Sequence, residues 1–223
     1  MHPNIFAFFD VDETIINIKS MFSFRDFYLK KYYGDDAGEI RINKAQAAIQ
    51  ELMAAGGERR DINRIFFQTF AGHEQHRLIL AVEDWYQGIR NQPNFFIQSS
   101  LRELRTHQDN GVTPVFVSGS SQEILAPLAR ELNVVHVLAN NLEVTSGKYS
   151  GNILPPQTIG DGKREAIVGF LKEWKSNPND CYGYGDHISD LPLLESVGFP
   201  VVVARDPTLI TVAQERGWRM LST

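Results

Sequence analysis

Residues 4–9, "NIFAFF", pass from Asn4 into an unbroken run of five apolar, aromatic or β-branched side chains. Such a run predicts a short strand buried on both faces. It leads straight into Asp10-Val11-Asp12-Glu13. From Ser20 to about Gln92 the period becomes helical. "SMFSFRDFYLKKYY" predicts a helix with Ser20 as its N-cap. Ile42, Ala45, Ile49, Leu52 and Met53 then recur at helical spacing, as do Leu78, Val82, Trp85 and Ile89. Gly34, Gly56-Gly57 and Gly72 punctuate these segments. No strand pattern occurs in this stretch, which reads as a small all-helical unit.

After Pro93 the pattern alternates. "FIQSSLRELRTHQ" is helical and ends near Asn110-Gly111, and "VTPVFVSG" (112–119) is a strand. "SQEILAPLARELN" is a helix interrupted or started by Pro127. "VVHVLAN" (134–140) is a strand, and "LEVTSGKYSG" (142–151) a hairpin around Ser146-Gly147. Pro155-Pro156 links to the amphipathic "GKREAIVGFLKEWK". "DCYGYGD" (180–186) is a strand end, "SDLPLLESVG" a short helix, "PVVVA" (200–204) a strand, and Pro207 opens a last helix. Strand–helix alternation predicts an α/β fold with a doubly wound parallel sheet. The core is residues 1–16 and 96–223, and 17–95 are a helical insert. A sheet of this kind binds ligands beyond the carboxyl ends of its strands.

Composition narrows the function classes. The 223 residues are 43% hydrophobic and 22% charged, an ordinary globular balance. No apolar run approaches the roughly 18 residues of a membrane span. The short apolar run near the N-terminus has no basic residues ahead of it, which argues against a signal peptide. Cys181 is the only cysteine, so an internal disulfide and a cysteine-based zinc site are excluded. That fits a reducing compartment, and a cytoplasmic location is expected. The net charge of −5 argues against nucleic acid as a partner. Monomer and homodimer both stay open.

The strand ends carry the candidate chemistry. Asp10 and Asp12 are two apart, so in extended chain they face one side and repel. A divalent cation such as Mg²⁺ would resolve that crowding, although an Asp-x-Asp by itself is more often a turn. Ser118-Gly119-Ser120 offers backbone N–H groups and a hydroxyl to an anion. By itself it is more often a helix N-cap. Lys163 opens a helix, against the dipole preference for acids there. Asp186 and Asp190 flank a Gly-Asp turn and read equally as a cap, and His187 reads as an incidental loop histidine. Taken singly, each has an ordinary structural explanation. Four such features in order, each at a strand end or helix start, do not.

In that order "DVDET" (10–14), "VSGS" (117–120), Lys163 and "GDHISD" (185–190) resemble the four motifs of the haloacid dehalogenase superfamily of phosphohydrolases. The helical insert after the first motif resembles the phosphoserine-phosphatase-like branch, with a Rossmann-like core and a helical cap. The resemblance implies a Mg²⁺-dependent phosphatase that hydrolyses a small phosphorylated metabolite. Asp10 would be the nucleophile that forms an aspartyl phosphate. Asp12 would protonate the leaving oxygen and then activate water. Mg²⁺ would be held by the Asp10 carboxylate, the Asp12 carbonyl and Asp186, with Asp190 steering from outside. Ser118, the Gly119 N–H and Lys163 would bind the phosphoryl group, and Thr14 would tie the loop. The superfamily's dehalogenases lack the second acid, so Asp12 argues against dehalogenation.

Two positions depart from the phosphoserine phosphatases of that branch. Lys19 stands where they carry a glutamate that meets the serine ammonium, and Ser189 where they carry an asparagine. Both lower phosphoserine as the substrate. Lys19 is therefore a candidate contact to the leaving group, which is expected to be anionic or neutral. The insert holds 11 Lys and Arg against 10 Asp and Glu. Arg59, Arg60 and Arg64 cluster there and read best as a solvated helix face. Phosphotransfer to an acceptor other than water, an idle Mg²⁺- or phosphate-binding module and a receiver-like domain are the competing classes. No motif is broken, as an idle module would need, and a receiver does not open on Asp-x-Asp with a helical insert behind.

Overall fold

A computed structural model describes residues 4–222. The elements run β1 (Phe6–Phe9), α1 (Ser20–Tyr33), α2 (Asp35–Ala54), α3 (Arg59–Gln68), α4 (Gln75–Ile89), α5 (Gln98–Asp109), β2 (Thr113–Ser121) and α6 (Gln122–Glu131). They continue with β3 (His136–Thr145), β4 (Lys148–Leu154), α7 (Asp161–Trp174), β5 (Tyr182–Gly185), α8 (Leu191–Leu194), β6 (Phe199–Val203), α9 (Pro207–Arg216) and β7 (Arg219–Leu221). One seven-stranded sheet has the order β4-β3-β2-β1-β5-β6-β7. Every pairing is parallel except β3 with β4 at one edge. This is the expected doubly wound α/β fold.

β1 lies at the centre, and both its faces are covered. Phe9 stacks on Tyr184, with ring centroids 4.2 Å apart. Phe8, pointing the other way, meets Phe170 of α7 edge-on at 5.9 Å. Alternate residues of one strand thus anchor two apolar clusters, which is why the run has no polar positions. Burial on both sides makes β1 a rigid mount for whatever follows Phe9. β2 and β5 flank it in parallel, so their carboxyl ends open at the same edge of the sheet.

Helices α1–α4 occupy the stretch expected to be all helical. The chain leaves and re-enters the sheet through an antiparallel stem: Asn17 N–H donates to Phe95 O at 2.7 Å, and Ile97 N–H to Ile15 O at 2.9 Å. Phe24, Tyr28, Phe66, Phe70 and Trp85 pack into one cluster with Ile124, Leu125 and Leu128 of α6. The insert is therefore seated on the sheet layer through continuous apolar contact.

Several local expectations change. Ser20 is the first helical residue of α1, and Lys19 is its N-cap. The reason is that Asp12 Oδ2 accepts the Ser20 N–H at 2.9 Å, doing from a distance what a capping side chain would do. α6 runs through Pro127 without a break. The expected strand 134–140 and hairpin 142–151 share one continuous strand, β3. Its first half pairs in parallel with β2 and its second half antiparallel with β4. β2 extends to Ser121, past the strand end expected at Gly119. β7 has only three residues, too few for a readable alternation.

Candidate active site

The backbone turns sharply as it leaves β1. Val11 O accepts N–H groups from Ile15 and Ile16, and Glu13 adopts a left-handed conformation with φ 61°. This turn leaves Asp10 and Asp12 on a cavity of about 130 Å³. All eight residues singled out in the sequence line it: Asp10, Asp12, Lys19, Ser118, Gly119, Lys163, Asp186 and Asp190. The space corresponds to roughly four waters at their share of liquid volume, the scale of a small polar group such as phosphate.

Lys163 is the electrostatic centre. Its Nζ donates to Asp10 Oδ1 at 2.6 Å and to Asp190 Oδ1 at 2.7 Å, all three side chains being buried. Two glycines make this arrangement possible. A Cβ at Gly162 would sit 1.7 Å from the Gln157 carbonyl oxygen, so the first turn of α7 can deliver Lys163 only with glycine there. A Cβ at Gly185 would lie 2.6 Å from the Asp190 Cβ. Asp190 has both oxygens committed, because Oδ2 accepts the N–H groups of Asp186 and His187 at 3.2 Å. Thr14 Oγ1 donates to Asp186 Oδ1 at 2.9 Å, which ties the first loop to the end of β5.

Four buried or half-buried carboxylates, Asp10, Asp12, Asp186 and Asp190, face one ammonium. Burial pushes the Asp10 carboxyl up, against the pull of Lys163. Burial also raises Asp186, and the charges of Asp10 and Asp190 add to it. Asp12 is pushed up to about 7, first by burial; the Ser20 hydrogen bond pulls the other way. Burial alone would depress Lys163, but its two carboxylate partners outweigh that and raise it. One oxygen each of Asp10, Asp186 and Asp190 lies within 4.8 Å of the others. Excess buried negative charge on converging oxygens is the donor set of a hard divalent cation. The second oxygen of Asp12, Oδ1, is buried and has no partner among the described residues.

At the end of β2, Ser118 Oγ accepts the Ser120 N–H at 3.1 Å, while Ser121 caps α6 by accepting from Ile124 N–H at 3.4 Å. Lys19 is more than half exposed, with Nζ 3.4 Å from Glu13 Oε2. Arg59 is a correction to the solvated helix face: it lines the cavity mouth, with Nη1 3.0 Å from His187 Nδ1. Arg64 does lie outside, exposed beside Asp61. His187 is part of the site too. Its imidazole accepts the Ser189 N–H at 3.1 Å and is pushed below the usual histidine range, first by burial and then by Arg59. Sequence reasoning also passed over Met21 and Phe22 of α1, which wall the cavity, and Asn63 of α3. A lone asparagine or methionine on a helix face gives no pattern that would single it out.

A family model described as haloacid dehalogenase-like hydrolase matches residues 7–195. The chain is 32% identical over 217 residues to a Mycobacterium tuberculosis protein named "Probable phosphatase", covering 97% of this chain and 74% of that one. It is 30% identical over 229 residues to a histidinol-phosphatase of Neisseria meningitidis, covering 97% of each. Among solved structures, a Bordetella pertussis protein of unknown function superposes with a TM-score of 0.86 at 24% identity, over 98% of both chains.

Proposed function

The chain belongs to the haloacid dehalogenase-like hydrolase family, and on that premise we propose that it is a Mg²⁺-dependent phosphomonoesterase working through an aspartyl phosphate on Asp10. It is a phosphatase in fold and relationship. The observation that carries the mechanism is the pairing of two unlike acids in one cavity. Asp10 is held by Lys163, whereas Asp12 keeps a buried, unpartnered oxygen and a carboxyl raised to about 7.

The roles follow from that difference. An Asp10 oxygen attacks phosphorus as the bond from phosphorus to the leaving oxygen breaks. The electron pair stays on the leaving oxygen, which takes the proton of Asp12. Asp12, now a carboxylate, takes a proton from the water that attacks phosphorus, releasing inorganic phosphate and restoring Asp10. A carboxyl raised to near neutrality suits both halves of this exchange. Ser118, the Gly119 N–H and Lys163 hold the phosphoryl oxygens. The carboxylates of Asp10 and Asp186 and the Asp12 carbonyl would hold Mg²⁺, which supplies positive charge to the phosphoryl oxygens. Asp190, with both oxygens engaged, steers Lys163 and the Asp186–His187 backbone.

Residues 17–95 serve as a cap over the core of 1–16 and 96–223. The mouth of the cavity carries Lys19 and Arg59 against Glu13, a surplus of positive charge. That favours a small phosphorylated metabolite whose leaving group is neutral or anionic. A panel of phosphomonoesters with Mg²⁺ tests the reading. It should include O-phosphoserine, L-histidinol phosphate and carboxylate-bearing phosphate esters. Lys19→Glu is expected to shift relative kcat/KM toward ammonium-bearing substrates by about tenfold, one charge contact's worth, with p-nitrophenyl phosphate turnover little changed. An unaltered ranking removes Lys19 from specificity.

A further inference from the structure

Asn63 is a cap side chain that reaches the backbone of the phosphate loop, where Ser20 Oγ of α1 also donates to Ser120 Oγ at 3.1 Å. Asn63 belongs to α3, yet only 4% of it is exposed. Its Nδ2 donates to Gly119 O at 2.9 Å. The same carbonyl accepts from Asn140 Nδ2 at 2.7 Å. Asn63 Oδ1 in turn accepts from Asn140 Nδ2 at 2.9 Å and from Gln157 Nε2 at 3.0 Å. Gln157 Nε2 also donates to Arg60 O at 2.8 Å, and Asn140 Oδ1 accepts the Thr158 N–H at 2.9 Å. Three amides from three distant parts of the chain thus converge behind one peptide group.

That peptide group matters because it is planar. The Gly119 C=O and the Ser120 N–H belong to the same unit and point in opposite directions. Holding the carbonyl toward the amides aims the N–H the other way, where it donates to Ser118 Oγ at 3.1 Å. A hydroxyl oxygen that already accepts a backbone N–H turns its own proton elsewhere. For Ser118, which lines the cavity, that leaves the proton to be donated to a ligand there.

We propose that Asn63 is a positioning residue through which the seated cap orients the Gly119–Ser120 peptide and the Ser118 hydroxyl for phosphate. The inference rests on the phosphatase reading. It has a consequence of its own: the phosphate cradle is complete only when the cap is down, so phosphate and cap seating stabilise each other. Opening the cap would release Asn63 from Gly119, Asn140 and Gln157 together and loosen the bound product.

Competitive inhibition by inorganic phosphate, measured with Mg²⁺ on the full chain, tests this. Asn63→Asp is nearly isosteric and still accepts from Asn140 and Gln157, but it cannot donate to Gly119 O. Its inhibition constant for phosphate is expected to rise about tenfold, the factor of one lost hydrogen bond. Asn63→Ala is expected to do the same or more. In a Ser118→Ala background the Asn63→Asp effect should shrink to less than about threefold, because the group being oriented is gone. A merely structural asparagine would show no such dependence on Ser118. An unchanged phosphate constant in folded Asn63→Asp overturns the proposal, as does an effect undiminished in Ser118→Ala. Wild-type chain that neither binds phosphate nor hydrolyses p-nitrophenyl phosphate overturns the phosphatase reading, and this inference with it.

Discussion

Asp10→Asn is expected to abolish hydrolysis of p-nitrophenyl phosphate in the presence of Mg²⁺, lowering kcat by roughly 10⁴-fold or more, the scale on which loss of a covalent nucleophile acts. The substitution changes little else. An amide oxygen can still accept from Lys163 Nζ, now at 2.6 Å from Asp10 Oδ1, and the side chain keeps its shape at the end of β1. Removing one of four crowded acids relieves repulsion, so the variant should melt no lower than wild type in the absence of Mg²⁺. A folded, inactive protein separates a chemical role from a structural one. Activity near wild type would remove Asp10 as the nucleophile.

The second large effect is on stability. Lys163→Met keeps the length of the aliphatic stem and deletes the ammonium that pairs with Asp10 and Asp190 among the four acids. Leaving buried carboxylates without their partner costs about 3–5 kcal/mol when they are ionised. The pH dependence gives the sign. Asp10, Asp12 and Asp186 have carboxyls raised above their ordinary values. The metal-free native state therefore binds more protons than the unfolded chain between about pH 4 and pH 8, and its stability falls as pH rises through that window. Without Lys163 these acids rise further and the fall steepens. Thermal melts in EDTA at pH 5 and pH 8 should show a small deficit for Lys163→Met at the lower pH and a large one at the higher. An equal deficit at both would mean that Lys163 acts by packing and not by charge. Turnover is expected to be lost at either pH, since phosphate loses its cation.

How much of this was legible in the sequence follows from what each feature depends on. The unbroken apolar run 5–9 predicts β1 correctly because both its faces are covered, and strand–helix alternation predicts the parallel sheet. Asp10, Ser118 and Asp186 are readable as a group because parallel strands deliver their carboxyl ends to one edge, and Lys163 joins them from the first turn of α7. Position along the chain then translates directly into position in space. The cap side of the site has no such rule. Arg59 reaches the cavity mouth, and Asn63 the Gly119 carbonyl, through the angle at which α3 sits on the sheet layer. Helical periodicity does not encode that angle. The amides of Asn63, Asn140 and Gln157 lie far apart in sequence and meet only through folding. Ser20 fits a cap by residue type and place. Asp12, eight residues upstream, takes its N–H instead, a tertiary contact overriding a local preference.

The division of labour between Asp10 and Asp12 is the central claim, and Asp12→Asn tests it most directly. The p-nitrophenolate leaving group needs no proton, so this variant should still phosphorylate itself. Without a base at position 12, water attack should stall. Acid quench of Asp12→Asn with p-nitrophenyl phosphate and Mg²⁺, followed by peptide mass spectrometry, is expected to show one phosphoryl group on Asp10, accumulating close to one per chain and absent in EDTA. Phosphoryl on any other residue, or undiminished turnover by the variant with Asp10 unmodified, would contradict it.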